Sequence, residues 1–350
     1  MAPRRYTPCL PSADWHAMTS TTIKVQSVRR QGEAWQRLIS ILVRRCLTVL
    51  VALTALVVVS FLLLHLVPGD PAARVVGLNA APGRVAAVRH QLGLDEPLAT
   101  QFVHYVSRLG HLDFGTSYQT GEPIAHLVRE RLPETLRLVG LVILETMLIS
   151  TFAGLLFGAL TREGRHRRVE GAFTVVTSVL GAVPEYVIGT VLVVVFGVSL
   201  RWFPIAGGAG LSALVLPSVA IAAGPIAILS RIIRVETLQV LAQDYVRTAY
   251  SKRLTTTRIY LRHVLPNAAS GALTVGALLF TSLLGGTVIV ENVFALPGLG
   301  SSLVQAVVGR DYPVVQAIIL VLGLAVLILN ILVESLVGML DPQSALGERR

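Results

Sequence analysis

The sequence predicts an all-α polytopic membrane protein with six transmembrane helices and an extracytoplasmic insert between the first and second. Three observations predict it. Of 350 residues, 53% are apolar and only 14% charged, with a mean hydropathy of +0.68, a balance far more apolar than that of a soluble domain. Several apolar runs reach about 20 residues, which at about 1.5 Å per residue cross about 30 Å of hydrocarbon. Lys and Arg sit beside those runs, so the net charge of +10 reads as topogenic. They form no separate basic domain with interleaved aromatics, which argues against a nucleic-acid partner. Cys9 and Cys46 are too few for a disulfide framework or a metal cluster and read as free thiols.

In chain order, Met1 to about Arg37 is polar, basic and rich in Ser, Thr and Pro, without sustained periodicity. It is expected to be a disordered cytosolic tail, bounded at residue 43, with Met18 an alternative first residue. Arg44-Arg45 introduce Cys46–Val67, where His65 is the sole ionisable group. This first span, residues 44–67, is long for a signal peptide and is followed by Pro68-Gly69-Asp70-Pro71 instead of a small-residue cleavage site, so an uncleaved anchor is expected. Residues 68–133 are polar and too long for a simple connection. They contain helical patches at Arg84–Gln91 and Thr100–Leu109, the mark of a folded insert. Asp70, Asp95, Glu96 and Asp113 stand among Gly and Pro and read as turn or solvated acids, so no metal site is expected.

Residues 134–340 hold the other five spans. The second, about Leu136–Leu160, contains Gly154 and Gly158 at the spacing that lets helices approach closely. It also contains Glu145, whose carboxylate at that depth needs a cavity or a partner. Thr161–Glu170 carries Arg162, Arg165, Arg167 and Arg168 and reads as cytosolic. The third span, about Ala172–Leu200, is interrupted by Pro184-Glu185-Tyr186, where a kink is expected. Pro184, Glu185 and Glu145 are the candidate translocation-path residues. The fourth, Leu211–Ser230, holds Pro217, Gly224 and Pro225, so it is expected among protein neighbours. The fifth runs from about Ala268 to Val290, and the sixth from Val314 to about Leu340. Residues 341–350 are a cytosolic tail.

Between the fourth and fifth spans, Arg231–Pro266 is the one sizeable polar interruption of the C-terminal half. At helical spacing Leu238, Leu241, Ala242, Tyr245 and Ala249 fall on one face of a single amphipathic helix, with Gln243, Asp244 and Arg247 elsewhere. A second segment puts Tyr260, Leu261, Val264 and Leu265 opposite Arg258 and Arg262, and is expected to stop at Pro266. From pattern alone, such a basic amphipathic pair either lies on anionic lipid or docks on a partner.

That segment resembles the EAA loop of ATP-binding-cassette import permeases. Ala249 takes the place of the pattern's last Ala and Leu265-Pro266 its closing pair, whereas Arg253 stands where the pattern has Gly and His263 where it has Ile. Gln243–Lys252, QDYVRTAYSK, resembles the version found in dipeptide and oligopeptide permeases. The external pieces PGDP, GLDEPLATQFVHY, LDFGTSY and RLPETLRL, between Pro68 and Leu138, are similar to that family in order and spacing. So are Phe294–Gly300 and Arg310–Pro313. The likeness covers roughly Arg44–Pro342 and implies the type I ABC importer transmembrane fold. It implies that Gln243, Asp244, Tyr245, Val246, Arg247, Thr248, Ala249, Lys252, Arg253 and Leu254 dock on a separate ATPase subunit. It further implies a second homologous permease chain, two ATPase subunits and an external substrate-binding protein as partners, with ATP and Mg on the ATPases and no cofactor on this chain.

Other function classes fare worse. A P-loop needs a lysine after glycine, and the two lysines, Lys24 and Lys252, follow Ile and Ser, so the chain is not an ATPase by itself. Neither an HExxH pair nor a GxSxG nucleophile occurs, and no catalytic residue is expected. An ion-coupled secondary transporter or channel using Glu145 and Glu185 is the competing reading. Within the ABC class, di- or oligopeptides are the expected cargo, with glutathione or nickel-chelate import as the alternative. Lys and Arg concentrate in the tail to Arg45, in Arg162–Arg168, in Arg231–His263 and at the last two residues. Positive-inside then places both termini and the Arg231–Pro266 segment in the cytosol of a plasma (inner) membrane protein.

Overall fold

The computed structural model describes residues 43, 46–62, 72, 76, 81–91, 93–207 and 210–340. The expected N-terminal tail with Cys9, Met18 and Lys24, the Pro68–Pro71 turn and the tail 341–350 lie outside the described residues. The chain divides into two compact units, Met1–Ala55 and Leu56–Arg350, and the helical bundle belongs to the second.

Among the described residues the α-helices follow one another as α1 Cys46–Leu62, α2 Pro82–Gln91, α3 Leu98–Gly110, α4 Ile124–Leu160, α5 Arg167–Ala182, α6 Glu185–Leu192, α7 Leu211–Leu241, α8 Asp244–Ser251, α9 Thr256–Ile259, α10 Leu265–Val293, α11 Leu299–Gly309 and α12 Tyr312–Leu340. No strand occurs among the described residues. Among the described residues four helices, α4, α7, α10 and α12, are long and apolar enough to cross a membrane, and α5 with the α6 segment passes the same test as a pair bent by 102°. The described part of α1 is a shorter apolar helix in the place of the first expected span.

The second to sixth expected spans correspond to helices with altered ends. Helix α4 starts at Ile124, well before Leu136, so Ile124–Pro133, assigned to the insert from its polarity, forms the first turns of the helix. Pro133 lies inside it. The third span is interrupted more sharply than a kink. α5 ends at Ala182, Val183 and Pro184 take extended geometry, and α6 restarts at Glu185. Pro184 has no N–H to continue α5, but its fixed φ suits the residue that opens a new helix. Helix α7 instead runs straight past the expected end at Ser230 to Leu241, through Pro217 and Pro225, as a helix surrounded by protein can.

The bundle is built around α4 against α7. A Cβ on Gly154 would lie 2.5 Å from the Ile233 side chain, and one on Gly158 2.7 Å from Thr237. The two glycines therefore give α7 the close approach their spacing predicted. The main core joins Leu138 and Val142 of α4, Ala220 and Ile221 of α7 and Phe280 and Leu283 of α10. A second cluster seats the start of α4, through Ile124 and Val128, on Ala306 of α11 and Ile318 of α12.

Candidate functional site

The segment Arg231–Pro266 differs from its expected single helix. At Ala242-Gln243 the α7 pattern breaks, with the Ala242 and Gln243 N–H groups donating to Gln239 and Val240, and the eight-residue α8 starts afresh. The break resets the helical phase, so of the face expected beyond Leu241 only Ala249 is buried, while Ala242 and Tyr245 are exposed. Tyr245 is 45% exposed, whereas Val246 and Ala249 are buried. These two join Val240, Leu241, Ile259, Val264 and Ala268 in one cluster, flanked by Leu155 of α4 and by Tyr250, Leu254 and Tyr260. In the second half Ile259 takes the buried place assigned to Leu261, which is 60% exposed.

Pro266 does not end that half either. Thr256–Ile259 continues through a π-turn, Tyr260–Val264, into α10. The Leu265 N–H donates five residues back to Tyr260, and Pro266 falls in the first turn of α10, where a missing donor costs least. The wider turn re-registers the chain before the proline.

Gln243, Asp244, Tyr245, Arg247, Thr248, Lys252 and Arg253 stay exposed, Leu254 is half-buried, and Val246 and Ala249 face inward. The ten residues expected at the docking surface thus comprise an exposed side and a buried anchor. Arg253, in the pattern's glycine place, has φ 55°, the left-handed geometry that glycine adopts cheaply. Its N–H donates to Tyr250 at 2.9 Å, and the Leu254 N–H donates to Ala249 at 3.3 Å. This is the Schellman ending of a helix, with Leu254 packed against the cluster that holds Ala249. The glycine's turn is therefore kept, with an arginine in it.

The neighbouring loop is fastened to the same end. Arg234 of α7 donates to Glu170 of α5 at 2.6 Å and to the Thr161 hydroxyl at 3.0 Å. The Arg162 guanidinium lies over the Tyr250 ring of α8.

At the opposite end, motifs far apart in sequence meet in pairs. From RLPETLRL, the Thr135 hydroxyl donates to Glu291 at 2.7 Å and accepts from the Leu299 N–H at 2.9 Å. The second oxygen of Glu291 accepts from the N–H groups of Gly300 at 2.7 Å and Ser301 at 3.2 Å, so this buried carboxylate caps the start of α11. Gly298 is needed there because a Cβ would fall 2.1 Å from that carboxylate. From LDFGTSY, the Ser117 hydroxyl donates to Asp311 of Arg310–Pro313. The Tyr118 N–H reaches the same carboxylate at 3.1 Å. Phe294 is buried, fitting where a Cβ on Gly189 would be 3.0 Å from its ring.

The expected path residues lie on two helix pairs, α4 with α7 and α6 with α10. The Ser218 hydroxyl of α7 donates to one oxygen of Glu145 at 3.0 Å, and the other oxygen is buried without a hydrogen-bond partner. Glu185 opens α6 after Pro184 and lies against α10, where a Cβ on Gly286 would be 2.8 Å from its oxygen. A cavity of about 490 Å³ near the Glu291 corner is lined by Glu134, Arg137, Leu211, Leu214, Leu296 and Pro297 among others.

The family description "Binding-protein-dependent transport system inner membrane component" matches residues 150–345, and the N-terminal part of such membrane components matches residues 38–139. The chain belongs to this family. A probable peptide ABC transporter permease of Sinorhizobium fredii is 37% identical over 311 residues, covering 86% of this chain and 98% of that one. A glutathione transport system permease of Salmonella typhimurium is 35% identical over 307 residues, covering 87% and 98%. The inward-facing MetNI methionine ABC transporter has a chain that matches with a TM-score of 0.52 and 19% identity, covering 63% of this chain and 99% of that one. That likeness concerns the fold, which is the type I ABC importer fold read from the motifs. The resemblance to peptide-type ABC permeases is thereby shown.

In this permease, sequence reading missed the cavity, the Glu291 knot that lines it and the Asp311 knot. The signal for the knots was present in the matched blocks RLPETLRL, LDFGTSY and ENVFALPGLG, whose polar residues have no place in an amphipathic pattern. What a local pattern lacks is the pairing of one block with another.

Proposed function

We propose that the chain is the transmembrane subunit of an ATP-driven importer that moves di- or oligopeptides across the plasma (inner) membrane. Separate ATPase subunits, carrying the ATP and Mg, would dock on the exposed side of α8 and the Arg253 turn. The observation that carries this reading is the seating of α8. Val246 and Ala249 anchor it in the buried cluster while Asp244, Tyr245, Arg247 and Thr248 project outward. A push on those exposed residues reaches α7, α10 and the end of α4 through packed side chains. The names of the peptide and glutathione relatives support the cargo class. Basic residues around this end support a cytosolic position for it and for both termini. A second homologous permease chain would complete the pathway and an external binding protein would deliver cargo.

The test is the paired charge reversal Asp244→Arg with Arg247→Glu. Loss of ATPase co-purification and of peptide uptake, with the permease still present in the membrane, is the expected result. Unchanged co-purification and uptake would overturn the docking assignment. Glu145, Pro184 and Glu185 are the proposed translocation-path residues, a reading that the unpartnered oxygen of Glu145 supports for that residue. Glu145→Gln or Glu185→Gln is expected to alter uptake while assembly persists; loss of assembly would make them structural.

A further inference from the structure

Helix α3 lies in the insert, yet it is amphipathic and buries no residue fully. At 3.6 residues per turn, Leu98, Phe102, Tyr105, Val106 and Leu109 share one side and Thr100, His104, Ser107 and Arg108 the other, with Val103 at the apolar edge. Part of the apolar side is seated on α1. The Phe102 ring meets Phe61 edge-on at 5.2 Å, the Tyr105 ring is 5.8 Å from Phe61, and the Tyr105 and Ser60 hydroxyls are 3.1 Å apart. The rest is uncovered, with Leu98 57%, Val103 61% and Val106 42% exposed.

The height of the contact says what covers that edge. The Ser60 hydroxyl donates to the Gln316 carbonyl and the Gln316 amide donates to the Ser60 carbonyl, each at 3.0 Å. Gln316 stands one turn into α12, a spanning helix. On the other side of the contact, Ser60 stands in the last turn of the described part of α1, the apolar helix Cys46–Leu62. The anchor of α3 is therefore level with the end turns of two apolar helices, α1 and the spanning α12. Next to the anchor residues Ser60 and Phe61 in the chain, Val59 and Leu62 of α1 are themselves exposed.

We propose that α3 is an interfacial helix that lies in the bilayer surface on the insert's side, with Leu98, Val103 and Val106 against the acyl chains and Thr100, His104, Ser107 and Arg108 toward water. The insert would then be held to the membrane at a second place besides its two flanking spans. This rests on the spans alone and not on the cargo or the ATPases.

The test uses the full chain with Cys9→Ser and Cys46→Ser, reconstituted in nanodiscs of phosphatidylethanolamine and phosphatidylglycerol, with a bimane label on single cysteines. Val103→Cys and Val106→Cys labels are expected to emit at shorter wavelength and to lose emission when brominated phosphatidylcholine is included, while resisting iodide. Thr100→Cys and Ser107→Cys labels are expected to show the reverse. Iodide quenching at Val103 and Val106 as strong as at Ser107 would overturn the proposal, as would protection that arises only when a soluble binding protein is added. A Leu332→Cys label on α12 serves as reference. If it too ignores the brominated lipid, the span assignment falls first.

Discussion

The Arg162 guanidinium lies 5.7 Å from the centre of the Tyr250 ring, joining the loop after α4 to the short helix α8. The ring belongs to the cluster under α8, so a cation above it fastens two pieces that share no backbone hydrogen bond. Such a contact at a partly exposed site is worth about 0.5–1 kcal/mol. In a double-mutant cycle of Arg162→Ala and Tyr250→Leu, thermal unfolding of the purified permease should show coupling of that size. Purely additive losses would mean that the two side chains act independently.

Arg253 occupies a left-handed turn at φ 55°, which costs a non-glycine residue about 1–2 kcal/mol, whereas glycine's added freedom in the unfolded chain costs about 0.5–1 kcal/mol. Arg253→Gly should therefore stabilise the segment by a few tenths to about 1 kcal/mol, and Arg253→Val should destabilise it. Protection of the Leu254 amide from hydrogen exchange reports both. A less protected glycine variant would contradict this account of the turn.

Glu291 satisfies two backbone N–H groups and the Thr135 hydroxyl in a buried corner. Removing an acceptor there leaves several donors stranded at about 1–3 kcal/mol each. Glu291→Ala should lower the thermal midpoint more than Thr135→Val, and Glu291→Gln, which keeps one acceptor oxygen, should fall between wild type and Glu291→Ala. An alanine variant as stable as wild type would show that the cap contributes nothing.

Gly154 and Gly140 both lie on α4, but only Gly154 touches a neighbour. A Cβ there meets Ile233 at 2.5 Å, while one on Gly140 meets nothing within 4 Å. Gly154→Ala should cost about 1–3 kcal/mol through overpacking, and Gly140→Ala should be neutral or gain up to about 1 kcal/mol of helix propensity. Equal behaviour of the two variants in a thermal-shift assay would refute the close contact between α4 and α7.

Burial holds the Tyr260 phenol above its ordinary 10.0, helped by nearby Tyr250 and opposed by Arg162. The folded state then keeps its proton to higher pH than the unfolded chain. The contribution is complete below about pH 10 and declines as pH rises through the folded-state value. Tyr260→Phe should flatten the alkaline limb of the stability profile, and a limb of unchanged slope would place the titration elsewhere.

The spans and the Arg231–Pro266 interruption were legible in the sequence because hydropathy and charge are properties of neighbouring residues. The glycine pair Gly154 and Gly158 was likewise found where its spacing put it, under α7. The face of α8 was legible only at Ala249, since the helix breaks at Ala242-Gln243 and a 3.6-residue rhythm carries no phase across such a break. The long-range cluster of Val246, Ala249, Ile259 and Val264 chooses that face. Similarly, the start of α4 was hidden by its polar first turns and by Pro133, a residue that usually marks an end.

By itself, then, the order of residues determined a membrane bundle of the type I import fold, the place of its polar interruption, and the blocks shared with peptide permeases. Tertiary structure alone decided how those blocks pair. Thr135 finds Glu291 across 156 positions and Ser117 finds Asp311 across 194. A buried carboxylate must gather donors from whichever segments fold beside it, and which segments those are depends on how the helices pack.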